Sequence, residues 1–154
     1  MKIDTSTALT TQDVQCRLIH SGDSRNLSVL MYESYQGTID YEGETLEQCQ
    51  EEMVGVLDGK YGYFLDSASF LVEDSHGIKS ASIVTLYNNK PLLAFSMTRP
   101  DAQGKGLAKS LIRRSIETLS KEGHPELYLV VTEGNYAAEK LYQRMGFIKA
   151  PPST

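Results

Sequence analysis

Residue types that announce metal, redox or membrane chemistry are scarce in this chain. Its 154 residues include two cysteines and three histidines, and no apolar run reaches membrane-spanning length. Cys16 and Cys49 lack the paired spacing of a metal knuckle or a dithiol motif, so buried free thiols on the core faces of a strand and a helix are expected. His20, His76 and His124 lie far apart without ligand spacing, which suggests no metal site. Basic charge is also short: 15 Lys and Arg stand against 20 Asp and Glu, a net −5. That balance argues against a nucleic-acid or anionic-membrane surface and mildly favours cationic partners. The Met1–Asp13 segment lacks the hydrophobic core of a signal peptide, so a cytoplasmic protein is expected.

The length suits one domain with a self-sufficient core. Residues 1–154 therefore read as one unit, with Met1–Asp13 a flexible arm or a short extra edge strand. What is present concentrates between Leu92 and Leu119. The run LLAFSMT has the character of a strand, RPDA follows, and QGKGLA opens LAKSLIRRSIETL. Leu107, Leu111, Ile112, Ile116 and Leu119 keep helical spacing, so Gly104 and Gly106 fall where the first turn begins. A helix start has N–H groups without intrahelical partners, and glycines there admit an anion to the bare backbone. Lys105 adds a positive charge. The dinucleotide fingerprint needs a third glycine where Lys109 stands, and the nucleoside-triphosphate loop needs glycines where Gln103 and Ala108 stand. Neither fits.

A second strand-then-helix unit follows in ELYLVVTEGNYAAEKLYQRMGF. Glu126–Thr132 is β-rich and apolar on both faces, while Ala138, Leu141, Tyr142 and Met145 form a helical stripe ending at Gly146. Gln103-x-x-Gly106-x-Ala108 after a strand, then an Asn after the next strand and a Leu-Tyr pair before Gly-Phe, resemble the GNAT acyltransferase superfamily. The resemblance is close from Leu92 to Phe147 and loose from Gln15 to Ala150.

This resemblance implies an α/β fold of the mixed α+β kind: a central, mostly antiparallel sheet flanked by helices, with two parallel strands splayed apart. It also implies acetyl-CoA as co-substrate. The pantetheine arm is expected against Phe95, Ser96, Met97 and Thr98, with the Met97 amide donating to the thioester oxygen. Backbone amides of Gln103, Gly104, Lys105, Gly106, Leu107 and Ala108 are expected to hold the pyrophosphate, and Asn135 to bond the pantetheine region. Tyr142 matches the proton donor to the leaving thiolate. The expected activity is direct attack of a neutral primary amine, on a small molecule or peptide, at the thioester. Alternatives are a non-catalytic CoA-binding or regulatory module, and O-acyl or longer-chain acyl transfer.

Upstream, Gln15–Ile19 reads as a strand, and Asp23 or Ser24 as the cap of a helix carrying Leu27, Leu30, Met31 and Tyr35. A second helix puts Leu46, Cys49, Met53 and Leu57 on one stripe. In the family the connection between these helices walls the acceptor site. Here it is acidic: Asp40, Glu42 and Glu44, with Tyr35 and Tyr41 nearby, are suited to an ammonium group, although solvation and an offset of the helix dipole account for the carboxylates equally well. Next, Ser69–Glu73 and Ser80–Tyr87 read as a hairpin around Asp74-Ser75-His76-Gly77, and Asn88–Pro91 as the turn into the Leu92 strand. A crossover of the length that follows returns a parallel strand, which pairs Leu92 with the Glu126 run.

Two departures from the family stand out. LLAFSMT holds no carboxylate, leaving Glu73, Glu33, Glu44 or a water chain as the general base. The family's final strand is absent after Ala150, so a partner chain or the Met1–Asp13 arm is expected to cover the exposed edge, with a homodimer the expected assembly.

Overall fold

The computed structural model describes residues 1–7, 14–38 and 41–150. In chain order its elements are β1 (Lys2–Asp4), β2 (Arg17–Leu18), α1 (Ser24–Tyr35), α2 (Leu46–Leu57), β3 (Tyr63–Phe64), β4 (Phe70–Asp74), β5 (Gly77–Tyr87), β6 (Lys90–Thr98), α3 (Leu107–Lys121), β7 (Glu126–Tyr128) and α4 (Tyr136–Met145). They form a mixed sheet in the order β1-β7-β6-β5-β4-β2, with β3 also paired to β5. Among the described residues, β6 and β7 make its parallel junction and the other pairings are antiparallel.

The hairpin between β5 and β6 is tighter than its sequence suggests. Asn88 and Asn89 take φ of 52° and 62°, the left-handed values that Asn tolerates in a two-residue turn. Lys90 and Pro91 therefore already pair with Tyr87 and Leu86. Further along, Ile83 pairs with Phe95 and Val84 with Leu93, so Ala94 is the extra residue of a bulge. β3 was not legible in the sequence, being two residues between glycine-rich turns.

The pleat divides the apolar residues between two cores. Leu71, Ile83 and Met97 pack against Leu27, Leu30 and Met31 of α1 and Met53 and Val56 of α2. Val84, Leu93 and Leu127 face Ile112, Ile116 and Leu119 of α3, joined by Met145 and Phe147. Against α3 the sheet also offers hydroxyls: Ser82 and Ser115 meet at 3.2 Å, and Ser115 donates to the Ala68 carbonyl at 2.6 Å. Helix α2 starts from a capping box in which Gln48 N–H donates to Thr45 Oγ1 while Gln48 Oε1 accepts from Thr45 N–H. Its buried residues are Cys49, Met53 and Val56, whereas Leu46, expected on the stripe, is exposed. Asp23 is the N-cap position of α1 but makes no cap bond. Its carboxylate instead takes two hydrogen bonds from Arg17, each 2.9 Å.

The outer edge of β7 is covered from within the chain. Lys2, Ile3 and Asp4 pair with Tyr128, Leu127 and Glu126. Lys2 and Ile148 then exchange backbone bonds of 2.8 and 2.9 Å on the far side of β1. The arm is thus the extra strand over Lys2–Asp4, and residues 8–13 lie outside the described residues. The exposed-edge argument for a homodimer does not apply to an edge covered in this way. Among the described residues, no helix is long and apolar enough to cross a membrane.

Candidate active site

Parallel pairing between β6 and β7 starts and stops at Leu92 opposite Tyr128. Beyond it, Leu93–Thr98 and Leu129–Thr132 diverge around a cavity of about 590 Å³, a size suited to a small-molecule ligand. Two local causes hold the strands apart. Ala94 bulges out of register with β5, and Leu129 donates its N–H to Met1, away from β6. The sequence run Glu126–Thr132 is accordingly a strand only to Tyr128.

Strand alternation decides which β6 amides face this gap. Arg99 donates its N–H to the Lys79 carbonyl of β5 at 2.7 Å, and Met97, two residues earlier, stands opposite Ala81. Backbone groups two residues apart point the same way, so the Met97 amide is turned to β5 and those of Ser96 and Thr98 to the gap. The Gln103 side chain confirms this sense by donating to the Thr98 carbonyl at 3.3 Å. The Met97 amide, expected to face a thioester in the gap, is thus turned away from it. The Met97 side chain is buried in the core beside α1.

At the end of β6 the chain turns through Pro100–Ala102 into the loop before α3. Gly104 and Gly106 both take left-handed φ, 77° and 78°, and a Cβ at either would meet nothing within 4 Å. Both line the cavity, as do Gln103, Leu107 and Ala108. Gly106 is the N-cap of α3 and carries no side chain to occupy the first amides. Lys105 is exposed and is not a lining residue, whereas Lys109 is one. Lys109 had registered in the sequence only as the residue that spoils the dinucleotide fingerprint. Arg99 steadies the loop from behind: it donates to Asp101 at 2.6 Å and to Asp74 at 3.0 Å. The hydrogen bonds from Arg99 and then from the His76 amide hold the Asp74 carboxyl down at about 2.

On the opposite wall Asn135 caps α4, its side-chain oxygen accepting from Ala138 N–H at 3.2 Å. Asn135 also lines the cavity. Tyr142 lines the cavity, and its ring stands edge-on to Phe147 with centroids 5.7 Å apart. Leu141 and Ala138, expected as core, also face the cavity, and Met145 alone of the α4 stripe is fully buried.

Tyr35 and Phe95 wall this cavity and also a second one of about 380 Å³ between α1, α2 and β6. Tyr41 lines it as expected of the acceptor wall, but Glu42 does not, and Asp40 lies outside the described residues. The carboxylates that reach it are Glu44 and, unforeseen, Glu52 of α2. Glu52 accepts from Tyr61 Oη at 2.5 Å and from Lys60 Nζ at 2.6 Å. Partial burial pushes Glu52 up, but these bonds outweigh it and leave the carboxyl below its ordinary range. Burial, followed by the charges of Glu44 and Glu52, pushes the neighbouring Cys49 thiol up. Of the other base candidates, Glu73 is ion-paired to Arg17 at 2.7 Å, and neither Glu73 nor Glu33 lines a cavity described here.

A splayed strand pair beside a glycine-opened helix start matches the expected architecture, and a family model decides the matter: that of the Acetyltransferase (GNAT) family matches residues 41–147. The chain belongs to this family. A mycothiol acetyltransferase of Renibacterium salmoninarum is 46% identical over 50 residues, 32% of this chain and 15% of that protein. An acetyltransferase of Pectobacterium atrosepticum is 30% identical over 83 residues, 53% of this chain and 59% of its own length. The match thus spans less than two thirds of either relative. Among solved structures, the PaiA N-acetyltransferase of Thermoplasma acidophilum in complex with coenzyme A superposes with a TM-score of 0.68 at 18% identity, covering 92% of this chain and 94% of that one. The GNAT fold is thereby shared along nearly the whole chain.

Proposed function

We propose that this GNAT domain is an acetyl-CoA-dependent N-acetyltransferase acting on a primary amine. The observation that carries the reading is the open gap after Leu92 and Tyr128, ending at a loop whose glycines leave the α3 amides bare. The cradle fits acetyl-CoA: a diphosphate suits the nest at Gly104–Ala108, with Lys109 nearby, and the amides of a pantetheine arm suit the unpaired β6 edge at Ser96 and Thr98.

When bound, acetyl-CoA supplies an acyl group activated as a thioester. Ser96 N–H, facing the gap, is positioned to donate to the carbonyl oxygen as negative charge develops there. An uncharged amine entering from the second cavity forms the C–N bond as the C–S bond breaks. The sulfur leaves with its electron pair and takes a proton from Tyr142, while the amine's surplus proton passes to water, from which the tyrosinate is reprotonated. A tyrosine near pKa ~10 is a weaker acid than a thiol near ~8.5, so Tyr142 contributes chiefly by its position.

Calorimetry with acetyl-CoA and a thiol-release assay over an amine library test the reading. Micromolar binding with amine-dependent release of free CoA is expected. Absence of binding removes the proposal, and binding without release for any amine leaves a CoA-binding module in its place.

A further inference from the structure

Resting on the transferase reading above, we infer that the second cavity takes an acceptor with two amino groups on a short aliphatic chain. One group is held as an ammonium by Glu44 and Glu52, and the other is presented uncharged to the thioester at Ser96.

The walls select for such a molecule. Tyr35, Tyr41, Tyr61 and Phe95 supply aromatic surface, which suits both an alkyl chain and a cation, and no Lys or Arg is among the lining residues. Both carboxylates are fixed in place before a ligand arrives. Glu44 accepts from the Glu42 amide at 3.0 Å, and Glu52 is gripped by Tyr61 and Lys60. Lys60 offsets one of the two carboxylate charges, which leaves the pair a single net negative charge suited to one ammonium, and side chains already held in place cost little entropy on binding.

The anchor and the nucleophile cannot be the same nitrogen. An amine paired with a carboxylate is protonated and has no lone pair to attack with, while an attacking amine must be neutral. The geometry separates the two roles. Tyr61 touches Glu52 through its hydroxyl and Phe95 through its ring, with centroids 5.9 Å apart. Phe95 in turn lines the acetyl-CoA cavity and precedes Ser96. The rings of Tyr61 and Phe95 thus lie between the anionic end and the reacting end, so the two nitrogens of the acceptor are separated by an alkyl chain that runs along aromatic surface. A simple monoamine offers a single cation, which the carboxylates draw away from the thioester.

The test compares putrescine, n-butylamine and γ-aminobutyrate as acceptors for the full chain with acetyl-CoA, reading thiol release. Putrescine is expected to exceed n-butylamine in kcat/KM by about tenfold or more, the worth of a charge-assisted hydrogen bond, with γ-aminobutyrate poorest because its far end repels both carboxylates. Glu52→Gln is expected to raise KM for putrescine and bring the putrescine-to-butylamine ratio towards one. Glu44→Gln, in the loop before α2 and independent of Tyr61, is expected to shift the ratio likewise and keeps the test open should Glu52→Gln fail to fold. Equal use of putrescine and n-butylamine, or a ratio unmoved in the folded variants, overturns this inference alone. Acetyl-CoA binding without thiol release from any amine overturns the transferase reading, and this inference with it.

Discussion

Leu92 stands opposite Tyr128 in parallel register, and one residue further on Leu129 bonds Met1 instead of β6. A single chain thereby keeps a sheet continuous at its base and open at its top. At the opening the Ser96 and Thr98 amides are turned away from β5 and towards the gap, where an extended ligand would find them available for pairing.

Closing the phosphate nest is expected to abolish this use. Gly106→Glu puts a side chain and a negative charge where a diphosphate would sit, at a φ of 78° that costs an L-residue about 1–2 kcal/mol. Calorimetry should show acetyl-CoA affinity lowered by at least about tenfold, with the thermal midpoint falling by only a few degrees. Unchanged affinity would clear the nest of any role.

The amide assignment within β6 is testable atom by atom. Semisynthetic replacement of the Ser96 amide by an ester removes one N–H that faces the gap, keeps every N–H donor of the β5 ladder and only weakens the Phe95 carbonyl as an acceptor. Turnover should fall by about a hundredfold, as for other preorganised donors to a developing oxyanion. The same replacement at Met97 is expected to weaken folding by about 1 kcal/mol, the worth of one ladder bond, with a smaller effect on kcat.

Tyr142→Phe keeps the edge-on contact with Phe147 and deletes only the hydroxyl. Steady-state kinetics should show kcat reduced by roughly tenfold or more and KM for acetyl-CoA nearly unaltered. A wild-type kcat would reduce Tyr142 to packing.

Acid should loosen the loop before α3 by way of Asp74. Its carboxyl ionises at about 2 in the folded chain against an ordinary 3.8, because Arg99 donates to it. A depressed carboxyl stabilises the fold fully above its unfolded value and loses that contribution as pH falls through the folded one, so the loss belongs between the two. Urea midpoints measured down that range should fall less steeply for Asp74→Asn than for the parent chain.

The covering of the β7 edge by β1 rests on Ile3, which is 2% exposed and packs with Leu127, Met145 and Phe147. Ile3→Ala is expected to cost about 2–5 kcal/mol by equilibrium unfolding. Light scattering should also reveal self-association as the edge frees itself, since unpaired strand edges seek partners. A variant as stable and as monodisperse as its parent would show β1 to be dispensable.

Much of this was legible in the residues because it depended on local pattern. The helical spacing of Leu107, Leu111, Ile112, Ile116 and Leu119, and the punctuation by Gly104 and Gly106, are properties of a few adjacent turns. They placed α3 and the glycine turn before it. Less legible were features set by partners distant in the chain. Alternation along LLAFSMT cannot say which amides face β5 until the register with Ala81 is known, and that register turns the Met97 amide to β5 and the Ser96 amide to the gap. Glu52 carries no local signal in the sequence, and its place at the second cavity depends on Tyr61, nine residues on, folding back against it.

Hydrophobic periodicity and turn chemistry act between near neighbours, so the chain alone carried its family architecture, its strand–loop–helix nest and the parallel crossover from Leu92 to Tyr128. Which edge β1 would cover, how far β7 would run and which acids would reach the second cavity depended on contacts between segments a hundred or more residues apart in the first case and on opposed helices in the last. Such contacts are chosen by packing and by the need to pair every buried backbone group, and no short window of residues contains them.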